Sequence, residues 1–331
     1  MRWDGRPGHY EVWYLTLNDR ATRTGFWIRY TMEAPAAGEA HAELWFAFFD
    51  RADARKSFAL RRRTPIAAFV ETRDPWRLAL GDASLTHGAA AGAIEGAGHA
   101  ARWELAFQPG AETFRHLPDA LYRSPLAQTK VLSPSLQARF RGRIVVDGRT
   151  IELGGDLGGE PGCQTHLWGR KHAHAWAWAH CGAFREDEGA VVEAVTARLR
   201  RGPVVLPPLT VLYVRAGGEE HHFRSLWQAP LLRGAWETGR YRVSARTARA
   251  RVEAEFTCRP EDLVRADYRD PDGEPSFCMN SEVADARLVI LRRDGFRWRE
   301  VVHLTAPGLG HFEYAAREAD PHVERAFASV P

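Results

Sequence analysis

Apolar and polar residues alternate along much of this chain with a period of two. Residues 249–256 alternate charged and apolar side chains without a break, and residues 26–33 place only apolar residues on one of their two faces. This alternation is typical of antiparallel strands with a buried face, because successive side chains of a strand point to opposite sides. Residues 209–215 are rich in β-branched and aromatic residues, which strands favour. Helical patterns are few and short, so the sequence predicts an almost entirely β protein.

The second half of the chain repeats features of the first half. Three matches occur in the same order at offsets of 146 to 149 residues: Tyr122-Arg123-Ser124-Pro125 with Tyr268-Arg269-Asp270-Pro271, Asp147-Gly148 with Asp294-Gly295, and residues 103–107 with 252–256. Both Asp-Gly pairs suit type I′ hairpin turns, and about 150 residues per half suits a lipocalin-sized barrel. We therefore predict an all-β fold of two tandem lipocalin-like antiparallel β-barrels. The predicted domains are residues 1–157 and 158–331, which meet in the glycine-rich stretch 154–159.

Composition and charge exclude several other classes of protein. The chain has 331 residues, too many for one ordinary core, and its net charge of +3 comes from interleaved basic and acidic residues. We therefore expect two domains and no nucleic-acid partner. The first residues lack the apolar segment of a signal peptide, and no stretch reaches the roughly 18 apolar residues of a membrane span. The four cysteines form no C-x-x-C pair and are interpreted as free thiols, so we expect a cytoplasmic location.

The segment 163–181 carries the most distinctive pattern in the chain. In a strand its even-numbered positions share one face, and from residue 166 onwards that face holds only large aromatic or basic residues: His166, Trp168, Arg170, His172, His174, Trp176, Trp178 and His180. The opposite face is small, with alanine at every odd position from 173 to 179 and cysteine at 181. A strand of this length must bend or break, so the prediction rests mainly on residues 172–181. The first half has no counterpart, so we expect the chemistry in the second barrel or at its junction with the first.

Three interpretations of this His/Trp face are open. It can be structural, with ring nitrogens satisfied by neighbouring strands or water. It can line a ligand cavity, with Trp176 and Trp178 as apolar walls and His174 or His180 as a proton donor. It can also hold a metal through His172 and His174 with another histidine or cysteine nearby, although the spacing matches no standard zinc pattern.

A second polar cluster lies near residue 280. Cys278, Asn280 and Glu282 share one face of an extended segment, and an inward-facing Glu282 would have the raised pKa that suits a general acid. A structural polar network is the alternative. Arg29 and Glu33 also share a face, and the simplest interpretation of that pair is an ion pair. The glycine-rich stretches lack the strand-then-helix setting of a phosphate loop, so no nucleotide site is predicted.

Several of these segments resemble one known group of proteins. The matching motifs are Tyr10-Glu11-Val12-Trp13-Tyr14-Leu15, Gly25-Phe26-Trp27-Ile28-Arg29-Tyr30, Glu43-Leu44-Trp45-Phe46, Gly234-Ala235-Trp236-Glu237, Cys278-Met279-Asn280-Ser281-Glu282, Ala284-Asp285 and His311-Phe312-Glu313. Over nearly its whole length the chain is similar to the AttH-like, carotenoid 1,2-hydratase and tocopherol cyclase-like group. The resemblance implies two lipocalin-like barrels side by side. The group includes cofactor-free enzymes that protonate an isoprenoid double bond, and many members with no assigned activity.

The hydratase branch of this group is associated with a His-x-Trp pair and a Tyr-x-Asp pair on nearby strands. His174-Ala175-Trp176 matches the first pair, but residues 191–201 contain no Tyr-x-Asp pair and Glu193 is their only acid. The resemblance implies that His174 is the acid or its relay and that tryptophan rings stabilise a cation. The predicted catalytic residues are His174, Trp176, His180 and Glu282, and the predicted ligand-binding residues are His172, Trp178, Trp27, Trp236 and Asn280.

Two functions are compatible with these observations. The first is a cofactor-free, acid-catalysed hydration, cyclisation or isomerisation of an isoprenoid- or polyketide-like molecule held in a barrel cavity. The second is a non-catalytic carrier or sensor of a lipophilic ligand, which the missing Tyr-x-Asp pair favours. The concentration of His and Trp on one face favours the enzyme, because a carrier needs only an apolar lining. In both cases the expected partner is a hydrophobic small molecule, with neither a metal nor another cofactor.

Overall fold

The computed structural model describes residues 1–110, 113–154 and 158–331, and strands dominate all three ranges. The strands are β1 (His9–Asp19), β2 (Thr24–Ala34), β3 (His41–Asp50), β4 (Phe58–Pro65), β5 (Phe69–Arg73), β6 (Trp76–Leu80), β7 (Ala83–Thr86), β8 (Ala89–Gly96), β9 (His99–Gln108), β10 (Phe114–Arg115), β11 (Thr129–Val146), β12 (Arg149–Leu153), β13 (Glu160–Gly169), β14 (Ala175–Cys181), β15 (Val191–Arg198), β16 (Arg200–Arg201), β17 (Val204–Val205), β18 (Leu209–Ala216), β19 (Glu219–Phe223), β20 (Leu232–Glu237), β21 (Arg240–Arg246), β22 (Ala250–Thr257), β23 (Val264–Arg269), β24 (Pro275–Asp294), β25 (Arg297–Ala316) and β26 (Ala328–Val330). The helical elements are α1 (Asp119–Arg123) and four 3-10 helices at Ala54–Lys56, Ile66–Ala68, Leu226–Leu231 and Pro260–Asp262. In these three ranges no helix is both long and apolar enough to cross a membrane.

The two large sheets have the same strand order, which confirms the tandem all-β architecture. The main path of the first sheet runs β4-β3-β2-β1-β13-β11-β9-β8-β7 and continues through β6 to β5, with β26 added beside β4. The second sheet runs β19-β18-β15-β14-β25-β24-β22-β21-β20. Each long strand has an equivalent in the other sheet, and β10 and β23 add to β11 and β24 in the same way. One sheet closes almost into a barrel and the other forms a half-barrel.

Two of the three sequence matches lie in equivalent elements of the two sheets. Residues 103–107 of β9 correspond to residues 252–256 of β22, and the two Asp-Gly pairs occupy equivalent turns. Asp147-Gly148 and Asp294-Gly295 both lie in the turn that follows a long strand, β11 and β24 respectively. Both φ angles are positive at Asp147-Gly148, as a type I′ turn requires, whereas Asp294 has a negative φ, so the predicted turn type holds only in the first repeat. Tyr122 lies in α1 and Tyr268 in β23, because the first repeat inserts a helix at this place.

The change from the first sheet to the second falls after β13. The domain boundary was predicted at residue 157, within the glycine-rich stretch 154–159. Residues 155–157 of that stretch lie outside the described residues. The strand that follows, β13, pairs with β1 and β11 and is therefore part of the first sheet. The segment 163–181 is broken at residues 170–174, so its two halves belong to different sheets.

Strand alternation divides the side chains of β14 between two apolar layers. Ala177, Ala179 and Cys181 pack into the cluster enclosed by the second sheet. Trp176 and Trp178 point the opposite way, into a cluster that lies between the two sheets. That inter-sheet layer contains these large buried residues: Tyr10, Tyr14, Trp27, Trp45, Phe49, Trp176, Trp178 and Tyr268. The His/Trp face of β14 therefore faces the first sheet instead of the inside of its own barrel.

We expect Gly25→Ala to weaken the contact between the two sheets. A Cβ atom at Gly25 of β2 would lie 2.5 Å from the backbone oxygen of Glu282 and 2.7 Å from its Cβ, so the sheets would have to move apart. Overpacking of this kind costs about 1–3 kcal/mol of unfolding free energy. Urea unfolding measures the loss.

Gly154→Ala is the matched control for this substitution. A Cβ atom there meets nothing within 4 Å, so the unfolding free energy should change by less than about 0.5 kcal/mol. Equal losses in both variants would show that Gly25 is not a close contact between the sheets.

Candidate active site

A cavity of about 390 Å³ lies between the two sheets. The first sheet contributes Tyr14, Trp27, Arg29 and Leu167 to its walls, and the second sheet contributes Trp176, Trp178, Tyr268 and Glu313. The segment around α1 and the 3-10 helix at 226–231 complete the lining. The faces that each sheet encloses are filled by their own apolar clusters. The expectation of a ligand inside a barrel is therefore corrected to a cavity between the sheets, because the large side chains of β14 point that way.

Glu313 places a carboxyl group on the wall of this apolar cavity. It lies on β25 directly opposite Trp178 of β14, and its Oε1 accepts a hydrogen bond of 2.9 Å from the Trp176 indole Nε1. Burial raises the pKa of Glu313, while the Trp176 hydrogen bond and the Arg29 guanidinium act in the opposite direction. The net effect favours the protonated form of an acid that faces the cavity.

His172 stacks on a face of the Trp176 ring and is held by Asp270. The two rings stack with centroids 5.4 Å apart. His172 Nδ1 lies 2.6 Å from Asp270 Oδ1, and Arg317 donates to the second oxygen of the same carboxylate at 2.8 Å. Burial would raise the pKa of Asp270, but the hydrogen bonds from His172 and Arg317 outweigh it and lower the pKa. The carboxylate thus fixes Nδ1 of His172 as the donor and leaves Nε2 as an acceptor.

Glu193 is a buried carboxylate that gathers three donors behind the cavity. His116 Nε2 and Trp178 Nε1 lie 2.6 Å and 2.7 Å from its Oε1, and His180 Nδ1 lies 3.1 Å from its Oε2. Burial alone would raise the pKa of Glu193, but the hydrogen bonds from the two histidines lower it from 4.5 to about 2. Glu193 therefore holds the cavity-lining His116 and Trp178 in place as an ionised group.

The predicted cluster near residue 280 lies deeper, away from the cavity wall. Glu282 is fully buried and hydrogen-bonds His311 Nδ1. Burial raises the pKa of Glu282 well above its usual range and lowers that of His311 to about 3, so both groups favour their neutral forms. Asn280 is also buried, and the rings of His180 and His311 stack at 5.6 Å. The raised pKa predicted for Glu282 is present, but its carboxyl group does not line the cavity.

The predicted site residues thus fall into two groups. Four of them line the cavity: Trp27, His172, Trp176 and Trp178. The other five do not: His174, His180, Trp236, Asn280 and Glu282. His174 precedes β14 and lies near Arg198, Arg200 and Arg317, and Arg198 also lies over the Trp236 ring at 5.4 Å. Neither His174 nor Trp236 meets the other members of the site, because His174 precedes β14 and Trp236 of β20 packs against the apolar cluster enclosed by the second sheet.

The hypothesis of a metal bound by His172 and His174 has no support from the geometry. In the described ranges no group of three or more His, Cys, Asp or Glu side chains is placed to hold a metal ion. His172 directs Nδ1 to Asp270 instead. All four cysteines are free thiols, and three of them are buried.

Sequence reasoning missed Glu313, Asp270 and Arg29 as members of the site. Glu313 stands in the family-like tail motif His311-Phe312-Glu313, but only the pairing of β25 with β14 shows that it lies beside Trp176. Tyr268-Arg269-Asp270 is itself a Tyr-x-Asp sequence, located far from the stretch where one was sought. The expected ion pair of Arg29 with Glu33 is wrong: Glu33 pairs with His41 at 3.2 Å, and Arg29 Nε donates to Thr31 at 2.8 Å.

The chain thus belongs to the class of proteins that are built from two tandem antiparallel β-sheets, and it carries an aromatic cavity between them. Residues 136–314, more than half of the chain, match the model of the tocopherol cyclase-like family, and the chain belongs to that family. This match confirms the resemblance found in the sequence.

Other similarities extend over nearly the whole chain. Two proteins of Mycobacterium tuberculosis strains, uncharacterized proteins MT0513 and Rv0493c, are each 28% identical over 328 residues, which cover 96% of this chain and 89% of theirs. The crystal structure of a putative AttH from Nitrosomonas europaea has a TM-score of 0.57 at 14% identity and covers 93% of this chain and 92% of its own, which supports the fold. Kievitone hydratase from Nectria haematococca gives a TM-score of 0.48 at 9% identity, over 94% of this chain and 89% of its own.

We expect the Glu193 carboxylate to stabilise the fold at neutral pH and to lose this effect in acid. Because its pKa falls from 4.5 to about 2 on folding, the contribution is complete above pH 4.5 and disappears as the pH falls towards 2. Glu193→Gln should lower the unfolding free energy at pH 7 by about 3 kcal/mol. Urea unfolding of both proteins between pH 7 and pH 3 measures this difference, which should shrink in the acid range.

The control is Glu104→Gln, which removes a carboxylate from an ion pair with Arg143. Both side chains are about half exposed, so the unfolding free energy should change by less than about 1 kcal/mol. A Glu193→Gln penalty that stays constant down to pH 3 would contradict the assignment of an ionised Glu193.

Proposed function

We propose that the chain binds a hydrophobic small molecule between its two sheets and catalyses its hydration, cyclisation or isomerisation by proton transfer, without a cofactor. The observation that carries this proposal is Glu313, a carboxyl group with a raised pKa on the wall of an apolar, aromatic cavity. A buried carboxylic acid with a raised pKa is suited to donate a proton to a substrate. Membership of the tocopherol cyclase-like family supports the same class of reaction.

The hydrogen bond from Trp176 orients Glu313 for this role. The indole Nε1 donates to Oε1, so Oε1 acts as the carbonyl oxygen and Oε2 carries the acidic proton. The surrounding apolar residues exclude water from the donor, which preserves its raised pKa. In this proposal Glu313 takes the part of general acid that the sequence had suggested for His174 or His180.

His172 is the base in this scheme. Its ring stacks on the face of Trp176, whose indole edge donates to Glu313, and Asp270 keeps its Nε2 available as an acceptor. A double bond of the substrate takes the proton of Glu313, and water or an internal hydroxyl group attacks the resulting cation. That nucleophile then transfers its proton to His172, and solvent exchange returns the proton to Glu313. Net addition of water or ring closure results, and the charges of the two residues are restored.

The aromatic side chains around Glu313 can stabilise a transient positive charge on the substrate. Tyr14, Trp27 and Trp178 line the cavity, and Tyr14 packs edge-on against Trp178 with centroids 5.9 Å apart. Ring faces attract cations through their quadrupoles, by about 0.5–2 kcal/mol each. Trp176 and Trp178 therefore keep the role that the family resemblance implied, whereas Trp236 stands outside the cavity.

Replacing the acid tests the proposal directly. Glu313→Gln keeps the size of the side chain and its oxygen acceptor but cannot supply the acidic proton, so turnover should fall at least about a hundredfold with ligand affinity unchanged. Mass spectrometry of reactions in D₂O, with panels of unsaturated isoprenoids and polyketide-like enones, measures turnover as deuterium or water incorporation.

The control is Glu300→Gln, which changes an exposed glutamate on the same strand and should leave turnover unchanged. Binding without any turnover by the wild-type protein would support the carrier function instead. Full activity in Glu313→Gln would remove Glu313 from the mechanism.

The pH dependence provides an independent test. The acid works only when it is protonated, so kcat should fall as the pH rises through the pKa of Glu313. Because burial raises that pKa, the midpoint should lie above the ordinary value of 4.5. Steady-state kinetics over a pH series measures the profile, and a midpoint at or below 4.5 would contradict a buried acid.

A further inference from the structure

Arg29 is a buried cation without an acidic partner on the wall of the cavity. Its exposed fraction is only 4%, and it lines the cavity between Trp27 and Tyr268. Its hydrogen bond is made through Nε to Thr31. In the part of the chain that the structure describes, no carboxylate oxygen lies within 4.0 Å of its guanidinium group. The Nη groups of Arg29 therefore keep their donor capacity.

Three aromatic rings surround the guanidinium group but do not neutralise it. The Arg29 Cζ atom lies 4.4 Å from the ring centre of Tyr268, 5.3 Å from that of Trp45 and 5.5 Å from that of Trp27. Each such contact stabilises a cation only weakly, whereas the free energy of removing a cation from water is much larger. Aromatic rings also offer no lone pairs to the Nη donors, so the hydrogen-bonding need of Arg29 is only partly met.

The nearest acid in the cavity does not compensate this charge. Glu313 is close enough for Arg29 to act on its pKa, yet the two groups form no ion pair, and Glu313 accepts from Trp176 instead. Because burial raises the pKa of Glu313, this carboxyl group is a weak counter-charge for the Arg29 guanidinium group. A buried, uncompensated cation with free donors is a site for an anionic oxygen.

We propose that Arg29 binds an anionic oxygen of the ligand, so that the cavity selects lipophilic molecules that carry a carboxylate or another acidic oxygen. This inference rests on the proposed function only in placing the ligand in the inter-sheet cavity. The guanidinium group would donate its Nη hydrogens to the oxygen while the apolar walls hold the rest of the molecule. An anionic oxygen of the ligand would compensate the charge of Arg29 and so reduce its repulsion of the cation formed in the proposed reaction, which is why an oxygenated substrate fits better than a simple polyene.

Two probes that differ only in charge test the proposal. Decanoate and methyl decanoate share one acyl chain, and quenching of the cavity tryptophans Trp27, Trp176 and Trp178 reports their binding. We expect the wild-type protein to bind decanoate at least tenfold more tightly than the ester. Equal affinities for the two probes would overturn the proposal before any variant is made.

Substitution of Arg29 should remove this preference and leave the apolar contribution in place. Arg29→Met should bind the two probes with affinities that differ less than twofold, while its affinity for methyl decanoate stays within threefold of the wild type. Arg29→Gln is the second variant, since it keeps a polar group beside Thr31 should Arg29→Met fail to fold. Arg29→Lys should keep part of the preference, because it retains the charge without the planar guanidinium group.

The matched control is Arg61→Met. Arg61 lies over the same Trp45 ring at 4.8 Å, but it does not line the cavity and donates to Asp267 and Ser329 instead. Its removal should leave the decanoate preference unchanged. Arg224 is another arginine of the cavity lining. A preference that survives in Arg29→Met and Arg29→Gln but is lost in Arg224→Met would overturn the proposal, because the anion would then bind at Arg224.

The outcomes separate this inference from the proposed catalytic function. Decanoate preference is measured by equilibrium binding and needs no turnover, so it should persist in Glu313→Gln. An Arg29-dependent preference in a protein without turnover would support the anion site and contradict the catalytic proposal. Turnover that requires Glu313, combined with equal binding of the two probes, would support the catalytic proposal and contradict the anion site.

Discussion

Where the outer faces of the two sheets meet, aromatic residues of β1–β3 pack against those of β14 and β23. This inter-sheet layer is possible because strand side chains alternate, so β14 can fill its own barrel with alanines and still present tryptophans to the first sheet. The same alternation lets Glu313 of β25 face the layer beside Trp176. The cavity is the part of this layer that side chains do not fill. Close packing elsewhere, as at Gly25, holds the sheets at the spacing that the cavity needs.

The surroundings shift the pKa values of the buried carboxyl groups along this layer in opposite directions. Glu193 accepts three N–H donors and remains ionised, whereas Glu313 accepts one indole N–H from Trp176 and has a raised pKa. The number of donors, set against the cost of burial, decides between a structural anion and an acid able to give up a proton. Arg29, enclosed by rings and lacking a carboxylate partner, adds an uncompensated positive charge to the same cavity.

Much of the fold was predictable, and the site only in part. The period-two pattern and the repeat at offsets of 146 to 149 residues predicted the tandem all-β architecture, because both reflect local strand geometry and duplication. The pattern of residues 172–181 singled out His172, Trp176 and Trp178, which do line the cavity. The same pattern also singled out His174 and His180, which do not line the cavity. A strand pattern identifies the side chains that share a face, but it does not show how far along the strand the neighbouring sheet extends.

The sequence by itself determined the strands, their buried faces, the duplication and the strand that carries tryptophan on one face and alanine on the other. These properties depend on residues adjacent in the chain. Only the tertiary structure decided that the tryptophan face of β14 packs against the first sheet, and that Glu313, Asp270 and Arg29 lie beside it. Those residues come from three different strands or their ends, and the pairing of β14 with β25 and the contact between sheets bring them together. Register and sheet packing are long-range properties, so no local pattern encodes them.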